Sequence, residues 1–254
     1  RKAGVAIFSH ALDDFGAWPM VGGAKLVFLG HGVGFKKTFN AKLSGAAKYS
    51  KHLMDGMFSW IQRDITIATS EYNQRQRQDI AGLKDVSQIH ITGQPRNDVL
   101  RRVDRTVVLK GLGIDVSKKV ILYMPTYRMA SMGKDAMECI VRDLYDCEAM
   151  SKVLDDENCI FVAKLHPNTP IINIPQRDNF RILGYNEIDA NQELLAVGDI
   201  LITDYSSCCV DFALLERPVI FYQPDEESFF KHSEAVCDEF FDISGRNSST
   251  TPEE

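Results

Sequence analysis

Short apolar runs recur along the chain: GVAIFS (4–9), AKLVFLG (24–30), DITIATS (64–70), QIHITG (88–93), KKVILYMPT (118–126), CIFVAKL (159–165), FRILG (180–184), DILITD (199–204) and RPVIFYQ (217–223). They are rich in Val, Ile and Phe and are bounded by turn-forming or polar residues, which predicts strands. Several are apolar on both faces, the pattern of strands covered on both sides. Helical periodicity lies between many of them. Met137, Ile140, Val141, Leu144, Tyr145, Met150, Val153 and Leu154 return near helical spacing and predict one helix over about 134–155. Ser70 is placed to cap a second helix through EYNQRQRQDIAGL, and a third begins near Ser206. Strands alternating with helices predict parallel sheets of the doubly wound kind. No internal repeat of fixed period is present.

GQPRNDVL stops a strand at Pro95, and the mixed segment RRVDRTVVLKGLGIDVS precedes a strong new strand. A junction at about 104 divides the chain into an N-terminal Rossmann-like domain (1–104) and a C-terminal one (105–246), with a polar tail over 247–254 expected to be disordered. Two such halves facing one another enclose a cleft, and ligands of doubly wound sheets bind beyond the carboxyl ends of the strands.

Composition narrows the function classes. The 254 residues are 44% hydrophobic and 25% charged, with a net charge of −6, which suits a soluble globular protein and argues against a nucleic-acid binder. No apolar run reaches the length of about 18 residues that a membrane helix needs. The apolar part of RKAGVAIFSH is too short for a signal peptide, and without an initiating Met the chain reads as a fragment of a longer protein. The six cysteines (Cys139, Cys147, Cys159, Cys208, Cys209 and Cys237) form no Cys-x-x-Cys pair and read as reduced thiols of a cytosolic protein.

The chemistry gathers at the strand ends: HGVGFKK, QPRND, PTYR, HPN and DYSS. His31 sits among glycines that let the backbone turn sharply, and it suits a general base as well as an ordinary loop. Lys36 and Lys37 suit either an anionic acceptor or a solvated helix start. His166, with Pro167 and Asn168 behind it, suits a hydrogen bond to a phosphoryl oxygen, stabilisation of a leaving group, or a strand-end cap. Ser206 and Ser207 stand at a helix start, where free N–H groups attract anions. One serine is enough to cap, and the second has no capping duty. Asp204 would repel a diphosphate and is expected to hold the loop. Thr126 and Arg128 offer a hydroxyl and a guanidinium that pairs with phosphate or with a carboxylate. His10, His52, His90 and His232 have no comparable setting.

HGVGFKK, GQPRNDVL, ILYMPTYR, KLHPN and LITDYSSCCVDFALLERPVIFY, in this order, resemble the CDP-glycerol glycerophosphotransferase family, the teichoic-acid polymerases and primases and their capsule-polymer relatives, over about residues 24–230. The resemblance implies an α/β, GT-B-like fold of two facing doubly wound domains, the first truncated here, with the active site between them. It implies attack of an acceptor hydroxyl on the glycerol-linked phosphate of CDP-glycerol or a related CDP-polyol, with release of CMP and with no cofactor or metal. By motif, His31 looks like the base and His166 like a second histidine near the diphosphate. Thr203, Asp204, Ser206, Ser207 and Asn168 match the donor phosphate segment, and Pro125, Thr126 and Arg128 its nucleotide side. Gly32, Lys36, Lys37, Arg96 and Asn97 fall on the acceptor side. The family commonly shows His-Gly-Thr-Pro where this chain has His31-Gly32-Val33-Gly34, and Gly-Tyr-Pro-Arg-Asn where it has Gly93-Gln94-Pro95-Arg96-Asn97. The implied acceptor is a polyol phosphate or a lipid-linked saccharide, with no nucleic acid. The implied location is the cytoplasm at the inner face of the cell membrane, with peripheral contact through segments outside this chain. The rival readings are a GT-B nucleotide-sugar glycosyltransferase or epimerase, and a non-catalytic nucleotide-binding domain of a larger polymer-synthesis protein.

Overall fold

A computed structural model describes residues 3–9, 23–30, 32, 64–81, 86–128, 132, 135–175, 177–184, 186–188, 190–232, 238–245 and 248–253. The expected base His31 and the acceptor-side Lys36 and Lys37 lie outside the described residues. All the strand-like runs form strands, and the chain divides into two compact units whose main boundary falls between Pro95 and Arg96.

The first unit carries a parallel sheet in the order β1 (Val5–Phe8), β2 (Lys25–Phe28), β3 (Ile65–Ala68), β4 (Ile89–Ile91). Helix α1 (Glu71–Ala81) connects the last two. The Ser70 hydroxyl accepts from the Asn73 N–H at 3.2 Å, so the expected cap is in place. Ala6 and Phe8 alternate inward from β1 and pack with Leu26.

Among the described residues, the second unit holds seven helices and six strands from Arg105 onward. They are α2 (Arg105–Gly111), β5 (Lys119–Tyr123), α3 (Ala136–Asp146), α4 (Glu148–Asp156), β6 (Cys159–Lys164), β7 (Phe180–Leu183), α5 (Asn191–Val197), β8 (Ile200–Thr203), α6 (Cys208–Ala213), β9 (Val219–Tyr222), then α7 (Glu226–His232), α8 (Asp238–Ser244) and β10 (Ser248–Ser249). Its sheet is parallel throughout, in the order β10-β9-β8-β5-β6-β7. The chain enters at β5, moves outward to β7, and returns to β8 on the other side. This reversal creates a topological switch point between β5 and β8.

Period-2 alternation explains the two-sided core. Val120, Leu122, Ile160 and Val162 face one apolar cluster, which also takes Leu194, Leu201 and Phe212. Tyr123, Phe161 and Ala163 face the other, with Ile140, Val141 and Leu144 of α3. All six residues of β6 are buried, as its unbroken apolar run foretold.

Three expectations differ from the structure. The single helix over 134–155 is two, because Cys147 adopts an extended backbone (φ −67°, ψ 109°) and its sulfur accepts from the Met150 N–H at 3.4 Å, starting a new helix. The unit boundary falls before 104, because Leu100 packs into the second unit's core with Leu109 and Leu112. The polar tail is not wholly without structure. β10 pairs with β9, Ser249 opposite Tyr222, and the Gln223 N–H donates to the Ser249 carbonyl at 2.8 Å.

Candidate functional site

The carboxyl ends of β6, β5 and β8 stand side by side at the switch point. They continue into Leu165-His166-Pro167-Asn168, Met124-Pro125-Thr126-Tyr127-Arg128 and Asp204-Tyr205-Ser206-Ser207. Neighbouring strands lie about 4.8 Å apart, so the ends of β6 and β8 are about 10 Å apart with β5 between them. The sequence-expected donor residues of the second unit therefore converge, but they divide into a scaffold and an open set.

Arg128 is the centre of the scaffold. Its Nε and Nη2 donate to the two carboxylate oxygens of Asp225 at 2.7 and 2.8 Å, and its Nη1 donates to Asp204 at 2.6 Å and to the Thr126 carbonyl at 2.8 Å. The guanidinium lies 5.0 Å from the centre of the Phe229 ring. Burial alone would disfavour its charge, but the carboxylates of Asp204 and Asp225 reverse that effect and hold the guanidinium above its ordinary range. The other Asp204 oxygen accepts from the Thr126 and Tyr205 N–H groups at 2.8 and 2.6 Å. Arg128, expected to pair with phosphate, is instead committed to protein carboxylates, and Asp204 holds the loop. Thr203 also departs from its expected phosphate contact: it is fully buried, and its hydroxyl donates to the Met124 carbonyl at 2.7 Å. The Cys208 thiol, 3.7 Å from the same carbonyl, is pushed up to about 11 by burial, so it is protonated at neutral pH and unsuited to nucleophilic attack.

The open set is smaller. Ser206 and Ser207 are half-buried. The Ser206 hydroxyl sits 3.5 Å from the Cys208 N–H, a long contact, and Ser207 makes no side-chain cap bond. Because α6 is short, the hydroxyls and N–H groups matter more here than its dipole. Pro125 is buried and turns the chain out of β5, and the buried Thr126 hydroxyl has no hydrogen-bond partner among the described residues. An unpaired buried hydroxyl costs about 1–3 kcal/mol, which a ligand oxygen would recover.

His166 and Asn168 are exposed at the end of β6. The His166 Nδ1 accepts from the Asn168 backbone N–H at 3.1 Å. The ring of Tyr127, which sequence reasoning passed over, packs on the imidazole with centres 4.9 Å apart. Partial burial lowers the imidazole below its ordinary range.

Arg96 and Asn97, expected on the acceptor side, belong to the second unit and bind the buried Asp211 of α6 at 2.6 and 2.7 Å. Asp211 was also missed. An aspartate in the apolar run CCVDFALL is the signal, since a buried carboxylate needs cationic or amide partners. In the first unit, Gly30 (φ +65°) and Gly32 (φ +146°) flank His31 in backbone regions that favour glycine. The carbonyl of Leu29, just before Gly30, accepts from Arg77 at 3.1 Å and from Gln94 at 3.0 Å. Among the described residues, no group of three or more His, Cys, Asp or Glu side chains is placed to hold a metal ion.

The second unit is doubly wound, and its polar residues gather beyond the strand ends at the switch point, the place where ligands of such sheets bind. The chain shares the GT-B-like fold of the Wall Teichoic Acid Polymerase TagF, with a TM-score of 0.72 at 23% identity, covering 91% of this chain and 57% of that one. The profile of the CDP-Glycerol:Poly(glycerophosphate) glycerophosphotransferase family matches residues 2–253, and the chain belongs to that family. A teichoic acid poly(glycerol phosphate) polymerase of Bacillus spizizenii is 36% identical over 54% of this chain and 36% of its own length. A teichoic acid poly(ribitol-phosphate) polymerase of the same organism is 30% identical over 94% of this chain and 39% of its own length. The chain thus spans less than two thirds of the length of these relatives.

Proposed function

We propose that the chain is the catalytic part of a polyol-phosphate transferase that takes glycerol phosphate from CDP-glycerol and passes it to an acceptor hydroxyl in cell-surface polymer synthesis. The observation that carries this reading is the open set at the switch point: His166, Thr126 and the Ser206–Ser207 pair around adjacent strand ends. The acceptor oxygen attacks the glycerol-linked phosphorus, the bond from that phosphorus to the bridging oxygen breaks, and CMP leaves with the bridging oxygen. The acceptor proton passes to a base, to which we assign His31. The second unit holds the diphosphate through neutral donors, namely an imidazole N–H, hydroxyls and the N–H groups opening α6, within an acidic protein. Lys36, Lys37 and Gly32 belong on the acceptor side in this reading.

Family membership, and the names of relatives that polymerise glycerol phosphate or ribitol phosphate, support a CDP-polyol donor. A TagF histidine-to-asparagine variant soaked with CDPG is among the structurally similar proteins. No helix among the described residues is long and apolar enough to cross a membrane. We assign the reaction to the cytoplasm at the inner membrane face. The test is incubation with CDP-glycerol, CDP-ribitol and UDP-sugars. CMP release from a CDP-polyol supports the assignment, UDP release favours a sugar transferase or epimerase, and binding without turnover favours a non-catalytic domain.

A further inference from the structure

His166 combines two contacts that fix more than its position. A backbone N–H can only donate, so the Nδ1 atom facing the Asn168 amide at 3.1 Å carries a lone pair and no proton. A neutral imidazole with an unprotonated Nδ1 carries its proton on Nε2. The same amide opposes the imidazolium form, which would place an N–H against an N–H. On the ring's flank, Tyr127 packs at 4.9 Å between centres, with planes inclined by 38°. Tyr127 follows β5 and His166 follows β6, so this contact joins two adjacent strand ends.

We propose that the Asn168 N–H and the Tyr127 ring together hold His166 as the neutral Nε2–H tautomer, which makes it a fixed hydrogen-bond donor to a phosphoryl oxygen and not the site's proton acceptor. The tautomer follows from geometry alone, whereas the phosphoryl partner rests on the function proposed above. Tyr127 is a positioning residue in this arrangement. It need not touch the donor, but it limits rotation of the ring that does. Partial burial of the ring acts in the same direction, since it disfavours the charged form.

The experiment is long-range ¹H–¹⁵N correlation on the chain with ¹⁵N-labelled histidine, with the His166 signals identified by their loss in His166→Gln. The expected pattern is protonated Nε2 and unprotonated Nδ1 throughout the neutral range. A protonated Nδ1, or an even mixture of tautomers, overturns the proposal. Tyr127→Phe, which keeps the ring, should preserve the pattern, and Tyr127→Ala should mix the tautomers. An unchanged pattern in Tyr127→Ala, with the fold intact by circular dichroism, removes Tyr127 from the argument. Should Tyr127→Ala not fold, Tyr127→Leu makes the same test with more of the volume kept. In the CMP-release assay, Tyr127→Ala should lower kcat on the order of 10-fold, with a smaller change in KM, and Tyr127→Phe should restore most of it. If no CDP-polyol releases CMP from the unaltered chain, the functional reading fails while the resonance measurement still decides the tautomer.

Discussion

Each unit of the protein buries an arginine beside a strand end, and the two are anchored differently. Arg77 lies 5.6 Å from the centre of the Phe28 ring, with its Nη2 on the Leu29 carbonyl and its Nε on the side-chain oxygen of Asn73. Arg128 lies 5.0 Å from the Phe229 ring and is gripped by two carboxylates. Arg77 holds the carbonyl of Leu29, just before Gly30, which Gln94 also reaches. Arg128 ties together the loops after β5, β8 and β9, since Thr126, Asp204 and Asp225 come from those three. An arginine at a strand end can thus serve as a brace, and Arg128 does so across three loops through two carboxylates.

The largest expected effect breaks the stronger brace. Arg128→Met leaves Asp204, which is fully buried, without its cation, and removing one partner of a buried pair costs about 3–5 kcal/mol. Thermal or urea unfolding measures it. Arg77→Met should cost less, about 1.5–3 kcal/mol, the range for hydrogen bonds made by a charged group. Equal losses would erase the distinction drawn between the two units.

Gly30→Ala sharpens the comparison from the other side. A Cβ at Gly30 would collide with the Arg77 guanidinium, and the residue's φ of +65° is unfavourable for any side chain. The left-handed backbone alone costs about 1–2 kcal/mol, and the arginine must shift as well. Turnover should fall further than stability, because the proposed base His31 is the next residue along the chain. Should Gly30→Ala keep full CMP release, the brace beside Gly30 has no catalytic consequence.

Asp211→Asn loosens the segment that opens the second unit. Arg96, about a third exposed, and Asn97 lose a buried carboxylate, at a cost of about 1–2 kcal/mol. The segment 96–104 should become more sensitive to limited proteolysis while the second unit remains folded. Cleavage at an unchanged rate would mean that Leu100 and its neighbours hold the segment alone.

How much of this was legible beforehand depends on what kind of signal each feature leaves. Strands whose two faces are buried, such as β6, declare themselves as unbroken apolar runs, and the doubly wound class follows from their alternation with helices. The break at Cys147 left no such signal, because apolar spacing continues across it and only a backbone dihedral interrupts the helix. At the site, Ser206, Ser207 and His166 were visible as polar residues at strand ends. The division of labour was not. Arg128 and Thr203 have the chemistry of phosphate ligands, and only their burial and partners show them to be scaffold. Asp225, twenty-one residues beyond Asp204, could not be assigned to Arg128 from sequence, because a long-range ion pair has no spacing rule.

The smallest effect expected is a pH dependence. The imidazole of His166 lies below its ordinary range, with partial burial as the cause. Between the folded value and the unfolded one of about 6.5, the folded chain binds fewer protons than the unfolded chain. This group's contribution to stability is therefore complete above the ordinary value and is lost as pH falls through the folded value. Because His166 is exposed, that loss should be slight and is better sought in turnover than in unfolding. A donor that works only while Nδ1 is unprotonated should sustain CMP release down to the ordinary histidine range and fail below it. His31, as the proposed base, must be unprotonated at the start of the reaction. In His166→Gln, the decline set by His166 should disappear while CMP release continues at a reduced overall rate. A single decline, unmoved by His166→Gln, would mean that the two histidines do not divide the work between donor and acceptor as proposed.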